Sequence, residues 1–152
     1  MLGTHAVACA QIPTTALNNG VLMPDLSLGT WQYDNNTAAA TVDLALQLGF
    51  NHVDTASNYR NQVGVGRALA RYPRSSYFLT TKVPGRADLE TAYDHTTYDL
   101  YSNLKQLNLT YVDLVLVHYP PVGNTVWCGA MQEQWRALED FYKSGHARAI
   151  GV

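Results

Sequence analysis

Between Leu26 and Lys143 a short apolar run is followed four times by a stretch with helical spacing, and a fifth run opens at Ala147. Leu26 to Thr30 is the first run. Asn36-Thr37 reads as a helix cap, and Ala38, Val42, Ala45 and Leu46 then recur at helical intervals until Gly49 stops the pattern. Phe50 to Ala56 is the second strand, with a helix from Gln62 to Ala70 that is broken before Pro73. Tyr77 to Val83 and the helix Ala92 to Leu107 form the third pair. Val112 to Val117 is a run apolar except at Asp113, of the kind expected when helices cover both faces of a parallel sheet, and Pro120-Pro121 ends it. A helix from Met131 to Lys143 closes at Gly145, and Ala147 to Val152 is the fifth strand. Ahead of these units, Thr14 to Leu17 and Val21 to Met23 flank Asn18-Asn19-Gly20, which predicts a β-hairpin because Asn-Gly tolerates the positive φ angles of a tight turn.

Strict strand-helix alternation predicts a parallel sheet, either doubly wound or closed as a (β/α)8 barrel. Four residues favour the barrel. Asp54, Tyr59, Lys82 and His118 fall at or just beyond the C-terminal ends of successive strands, where a barrel collects its site residues. A full barrel takes about 250 residues, so 152 residues correspond to its first five strands and four helices after the hairpin.

At 47% hydrophobic and 14% charged, the chain can bury a substantial core. A formal net charge of -2 gives no general attraction to nucleic acid or an anionic membrane and points to a small-molecule partner. Cys9 and Cys128 are far apart and form no C-x-x-C pair, so a reducing, cytosolic setting is expected, with neither a disulfide framework nor a metal site. The apolar stretch Ala6 to Ala10 is too short for a signal segment, and no run approaches membrane-spanning length. The sequons at Asn35 and Asn108 carry no weight without a secretory route.

The four strand-end residues suit carbonyl reduction, in which a proton must reach the carbonyl oxygen as hydride arrives at carbon. Tyr59 is the proton donor on this reading. A neighbouring ammonium makes a phenol a better acid, and Lys82 supplies that charge. Asp54 would hold Lys82 protonated and oriented, and His118 would align the substrate oxygen by a hydrogen bond. Taken singly, each of these residues is ordinary at a strand end; their conjunction is the signal.

The same stretches resemble the aldo-keto reductases. Gly49 to Asn61, reading GFNHVDTASNYRN, is similar to that family's first signature, with its Asp and Tyr in place. Leu79-Thr80-Thr81-Lys82-Val83 resembles its lysine strand, and Tyr111 to Pro120 its histidine strand. Gly29-Thr30-Trp31-Gln32 and Gly145 to Val152 match two further stretches, and the resemblance runs from about Leu17 to the last residue. It implies a (β/α)8 barrel and NADPH-dependent reduction of an aldehyde or ketone. Tyr59 would be the proton donor, with Lys82, Asp54 and His118 completing a tetrad. Trp31, His118 and Tyr119 would contact substrate, and Gly29, Thr30 and Asp54 would lie near the nicotinamide.

The sequence departs from the family pattern at three positions, with Asn51 in place of Arg, Gln62 in place of Glu, and Tyr119 in place of Trp. The first two bear on local hydrogen bonding, the third on the pocket wall. In the family, the strand resembling Ala147 to Val152 continues into a Ser-Asn pair that holds the carboxamide, and later strands supply a stacking aromatic and a phosphate clamp. The expectation is therefore a single truncated barrel domain over residues 1–152, with a flexible N-terminus over residues 1–13 and open sheet edges that favour self-association. A non-catalytic half-barrel acting as an interaction protein or remnant is the alternative.

Other constellations are weaker. His52, Asp54, His95 and His118 could be offered as metal ligands, but His95 falls in a helix and Lys82 would repel a cation. Arg60 to Arg86 holds six of the ten basic residues and no acid, with Arg67, Arg71 and Arg74 read as one solvated helix face. Gly64-Val65-Gly66 is no dinucleotide fingerprint, since Leu69 stands where G-x-G-x-x-G needs its third glycine; helix packing is the expected use.

Overall fold

The computed structural model describes residues 12–120 and 127–152. Cys9, the Ala6 to Ala10 run, Pro121 and residues 1–11 of the expected flexible N-terminus lie outside the described residues. Strands β1 (Thr14–Ala16) and β2 (Leu22–Pro24) pair antiparallel, Ala16 opposite Leu22. Only Gly20 in their turn takes a positive φ, 82°, and Leu17 and Val21 are joined by a 2.8 Å backbone hydrogen bond. The turn is thus a three-residue loop closed by a left-handed glycine rather than a two-residue Asn-Gly turn. Asn19 uses its side chain instead, donating Nδ2 to the Arg148 carbonyl at 2.8 Å.

The main sheet runs β3 (Leu28–Gly29), β4 (His52–Asp54), β5 (Phe78–Val83), β6 (Val112–Val117) and β7 (Ala147–Gly151), all parallel and in chain order. Helices α1 (Asn35–Gln47), α2 (Gln62–Leu69), α3 (Ala92–Leu107) and α4 (Trp127–Lys143) make the four crossovers. This is part of a (β/α)8 barrel preceded by a hairpin. The bounds of α3 and β6 match the sequence pattern. The first two parallel strands are shorter than their apolar runs, because Leu26 is exposed and the Phe50 N–H turns back to the Ala45 carbonyl at the end of α1. Helix α4 starts four residues earlier than its periodicity suggests, and Gly129 there lies close against Leu89. The cap of α1 is Asp34, not Asn36-Thr37: its carboxylate accepts from Thr37 N at 2.7 Å, a bond that also lowers its pKa. Asn35 and Asn36 instead reach α2, Asn35 Oδ1 accepting from Gly64 N at 2.7 Å and Asn36 Oδ1 from Arg67 at 2.9 Å.

Two layers of packing position the site. Outside the sheet, Val53, Leu79, Val83 and Val115 meet Val42, Val65, Leu69, Leu100 and Leu138 from the helices, each buried side chain contributing on the order of 1.5–3 kcal/mol. A β-carbon at Gly64 would sit 2.0 Å from the Asn35 carbonyl oxygen and one at Gly66 2.4 Å from that of Leu107, so both glycines serve helix contact. Arg67, Arg71 and Arg74 do not share a solvated helix face. Helix α2 ends before the second, Arg71 pairs with Asp43 at 2.9 Å, and Arg74 is drawn inward to Asp113 at 2.6 Å. Asp113 also accepts from Arg148 at 2.8 Å and Leu79 N at 2.9 Å.

On the opposite sheet face, Phe78, Leu114 and Ala149 pack with Leu17, Val21 and Met23, so the hairpin closes the N-terminal end of the strands. His52 fastens it. Its Nδ1 bonds the Pro24 carbonyl at 2.9 Å and its Nε2 the Thr80 hydroxyl at 2.8 Å. A carbonyl can only accept, so Nδ1 carries the proton and Nε2 receives the hydroxyl's. Burial, opposed by the Pro24 bond, lowers the His52 pKa and favours this neutral ring. Among the described residues no helix is long and apolar enough to cross a membrane.

Candidate active site

Side chains alternate across a strand, so residues two apart share a face. His52 and Asp54 on β4, Phe78, Thr80 and Lys82 on β5, and Leu114, Leu116 and His118 along β6 share the hairpin-facing side. Asp54, Lys82 and His118 end these rows, at the strand ends the hairpin leaves open. The backbone ladder sets their heights: Asp54 lies opposite Gly29 and Thr80, Lys82 opposite Leu116, and His118 N donates to the Val83 carbonyl at 2.8 Å.

Tyr59 comes from a different device. After β4 the chain makes a 3-10 turn, Ser57–Tyr59, and reverses through Arg60 at φ 58° before α2 begins. That turn swings the phenol to Lys82. The ammonium has three N–H groups and three acceptors: Asp54 Oδ1 at 2.5 Å, the Thr55 carbonyl at 3.0 Å and Tyr59 Oη at 3.4 Å. The ion pair is unevenly covered, with the Lys82 side chain 11% exposed and that of Asp54 26%.

The imidazole of His118 stands edge-on to the Tyr59 ring at 5.5 Å and is stacked on Tyr119 at 4.0 Å. Burial pushes its pKa down, the Lys82 charge adds to that, and Asp54 opposes both. His118 Nδ1 is buried without a protein partner. A neutral ring carries one N–H and one acceptor nitrogen, and the covered one of the two here is Nδ1.

The structure thus brings Asp54, Tyr59, Lys82 and His118 together. Trp31 and Tyr119 are mostly exposed, in the loop after β3 and just past β6. Gly29 is exposed at its strand end, with no atom within 4 Å of where a β-carbon would be. Thr30 is fully buried, and its hydroxyl donates to the Asp54 carbonyl at 3.2 Å, fixing the backbone of the acid. The four metal-ligand candidates do not gather. His95 is exposed on α3, His52 is held by the hairpin, and Lys82 is the partner of Asp54; among the described residues no group of three or more His, Cys, Asp or Glu is arranged to hold a metal. A polar cleft of about 530 Å³ between Arg60 and the Asp99-to-Gln106 side of α3 contains none of the four.

Apart from Gln62, already read as bearing on local hydrogen bonding, several buried amides escaped the sequence reading. Asn61 donates to the carbonyls of Thr30 and Tyr33 at 2.7 and 2.9 Å and so shapes the loop bearing Trp31. Gln62 bonds Thr81 and Asn103, and Gln134 donates to the Pro84 carbonyl at 2.8 Å beyond β5. The available signal was a polar residue on the apolar stripe of a helix, as at Asn103 and Gln134. At Asn51, where the family resemblance expects Arg, the side-chain oxygen is buried without a partner.

Comparison with known proteins gives a match to the model of the aldo/keto reductase family over residues 25–152. A glyoxal reductase of Bacillus subtilis (strain 168) is 37% identical over 142 residues, covering 91% of this chain and 48% of that protein. The crystal structure of an aldo/keto reductase from Brucella melitensis superimposes with a TM-score of 0.83 at 36% identity, over 93% of this chain and 52% of that one. A Bombyx mori aldo-keto reductase crystallised with NADP gives 0.79 at 30% identity, over 93% and 50% of the two chains. The chain spans about half the length of the curated relatives it matches.

Proposed function

The chain belongs to the aldo/keto reductase family, and from that we propose that it forms the catalytic end of an NADPH-dependent reductase of small aldehydes or ketones. One observation carries the reading: the Lys82 ammonium donates to Tyr59 Oη and to Asp54 at once. Because the phenol oxygen accepts from Lys82, its own proton points elsewhere and is free for a substrate oxygen. Negative charge that develops on Tyr59 as the proton leaves meets the Lys82 N–H, a dipole already in place. Asp54 and the Thr55 carbonyl occupy the other two ammonium protons and keep Lys82 from turning to substrate. The His118 N–H would orient the carbonyl oxygen between imidazole and phenol. Trp31 and Tyr119 would supply apolar walls.

A bound nicotinamide would supply the hydride. The residues present fit its reacting end: Gly29 leaves an open surface beside Asp54, and the orphaned Nδ1 of His118 is a buried polar atom that awaits a partner. Gly29, Thr30 and Asp54 would hold the ring, Thr30 through the backbone of Asp54. NADP in the Bombyx mori relative supports NADPH as the form used, and the Bacillus subtilis glyoxal reductase supports a small carbonyl substrate. A single barrel domain in a cytosolic setting belongs to the same proposal.

The test is NADPH oxidation by the purified chain with a reactive aromatic aldehyde, beside Tyr59→Phe. Loss of turnover by about 10²- to 10⁴-fold in the variant is expected, with NADPH fluorescence changed equally on binding to both proteins. No turnover and no fluorescence change in the unmodified chain would refute the reductase reading and favour the interaction-protein alternative.

A further inference from the structure

We infer that Gln62 and Asn103 are positioning residues that set the separation between Lys82 and Tyr59. The inference rests on the reading of Lys82 as the partner of the proton donor. Three side chains link α2, β5 and α3: Thr81 Oγ1 donates to Gln62 Oε1 at 2.7 Å, Gln62 Nε2 to Asn103 Oδ1 at 2.7 Å, and Asn103 Nδ2 to the Lys82 carbonyl at 3.3 Å. Gln62 is fully buried and Asn103 is 1% exposed, so an amide left unmatched here would carry its full desolvation cost.

The direction of this chain of bonds follows from its last member. The Lys82 carbonyl can only accept, so Asn103 must present its nitrogen to it. The Asn103 oxygen then faces Gln62, which must answer with its own nitrogen and turn its oxygen to the Thr81 hydroxyl. A carboxylate at position 62 could keep the Thr81 bond but has no proton for Asn103. Asn103 would turn its nitrogen toward the new carboxylate and lose the Lys82 carbonyl.

The Lys82 carbonyl has reason to depend on this donor. The ladder toward β4 reaches the Thr80 carbonyl, which accepts from Thr55 N at 2.9 Å, and Lys82 lies two residues further on. Gln62 is also three residues past Tyr59, so one side chain ties the turn that carries the phenol to the strand that carries the ammonium. Of the three ammonium bonds, the one to Tyr59 is the longest, at 3.4 Å. At that length a further displacement of a few tenths of an ångström, on the order of 0.2–0.3 Å, removes it.

The chain has three lysines, and Lys105 and Lys143 are exposed, so the ammonium of Lys82 can be followed alone by NMR of the full chain grown with ¹⁵N-lysine, assigned by its loss in Lys82→Met. Exchange of its protons with water is measured in the unmodified chain, in Gln62→Glu, in Asn103→Leu, and in Val42→Ala, a core truncation on α1 far in sequence from the network. The expected result is exchange faster by about tenfold in the first two variants, the scale of one lost hydrogen bond, with little change in Val42→Ala at comparable loss of thermal stability. Where the chain turns over NADPH, kcat falls by a similar factor and KM for the carbonyl holds. Equal acceleration in Val42→Ala, no acceleration in Gln62→Glu, or no slowly exchanging Lys82 signal in the unmodified chain would each overturn the inference. Failure of both turnover and NADPH binding with the exchange difference intact would overturn the reductase reading and leave the positioning role standing.

Discussion

The uneven burial of the Asp54–Lys82 pair predicts that its two halves cannot be removed at equal cost. In Asp54→Asn the ammonium remains, nine-tenths covered, with the Thr55 carbonyl, the phenol and a neutral amide around it and no counter-charge in contact. Breaking a buried pair so that a charge is stranded costs about 3–5 kcal/mol. The residual neutral acceptors and the partial exposure place this case at the lower end, about 3 kcal/mol. In Lys82→Met the carboxylate is stranded instead, but a quarter of the Asp54 side chain already meets solvent and water can replace the ammonium. That cost lies nearer the range for exposed pairs, about 1 kcal/mol. The double variant Asp54→Asn/Lys82→Met strands no charge and should be more stable than Asp54→Asn alone. Urea unfolding at neutral pH, followed by tryptophan fluorescence, measures all four proteins. The order unmodified, Lys82→Met, double variant, Asp54→Asn, or the middle two exchanged, is the expected outcome. A Lys82→Met protein less stable than Asp54→Asn, or a double variant as unstable as the sum of the singles, would refute the argument from burial.

Two further outcomes follow from the geometry. The fold favours neutral His52 and neutral His118, both pushed down mainly by burial; around His52 the charges of Asp54 and Asp113 oppose the shift and Lys82 adds to it. The unfolded chain therefore takes up protons that the fold resists, so stability is full above the ordinary histidine value of about 6.5 and falls as pH drops below it and through the folded values; thermal unfolding from pH 8 to 5 should show this, with a shallower decline in His52→Gln, and an unchanged decline would sink the assignment. Gly64→Ala would press a β-carbon to 2.0 Å from the Asn35 carbonyl oxygen and should cost about 3 kcal/mol or more, whereas Gly29→Ala meets nothing within 4 Å and should leave stability unchanged while raising KM for NADPH; equal melting losses in the two would contradict the packing argument.

The order and type of the strands and α-helices were legible in the amino-acid pattern. Helix α3 and strand β6 were legible to the residue, because a 16-residue amphipathic repeat and a six-residue run apolar except at Asp113 fix their backbones locally. The meeting of Asp54, Lys82 and His118 was legible too, since a residue at the end of a parallel strand is carried to the open end wherever the strand goes, whereas Tyr59 reaches them through the 3-10 turn after β4. Element ends were less legible. The cap of α1 went to Asp34 because Asn35 and Asn36 were claimed by α2, a contact 29 to 31 residues away along the chain. Arg74 looked solvated because nothing nearby in sequence announces Asp113, 39 positions on. It took the packed fold to show that the Thr55 carbonyl joins Asp54 in holding Lys82, that Thr30 serves the backbone of Asp54, and that Gln62 answers Asn103 across 41 residues. Hydrophobic spacing is a local code that a strand or helix obeys on its own, whereas a buried amide acquires its partner only when packing places two distant segments within one hydrogen-bond length.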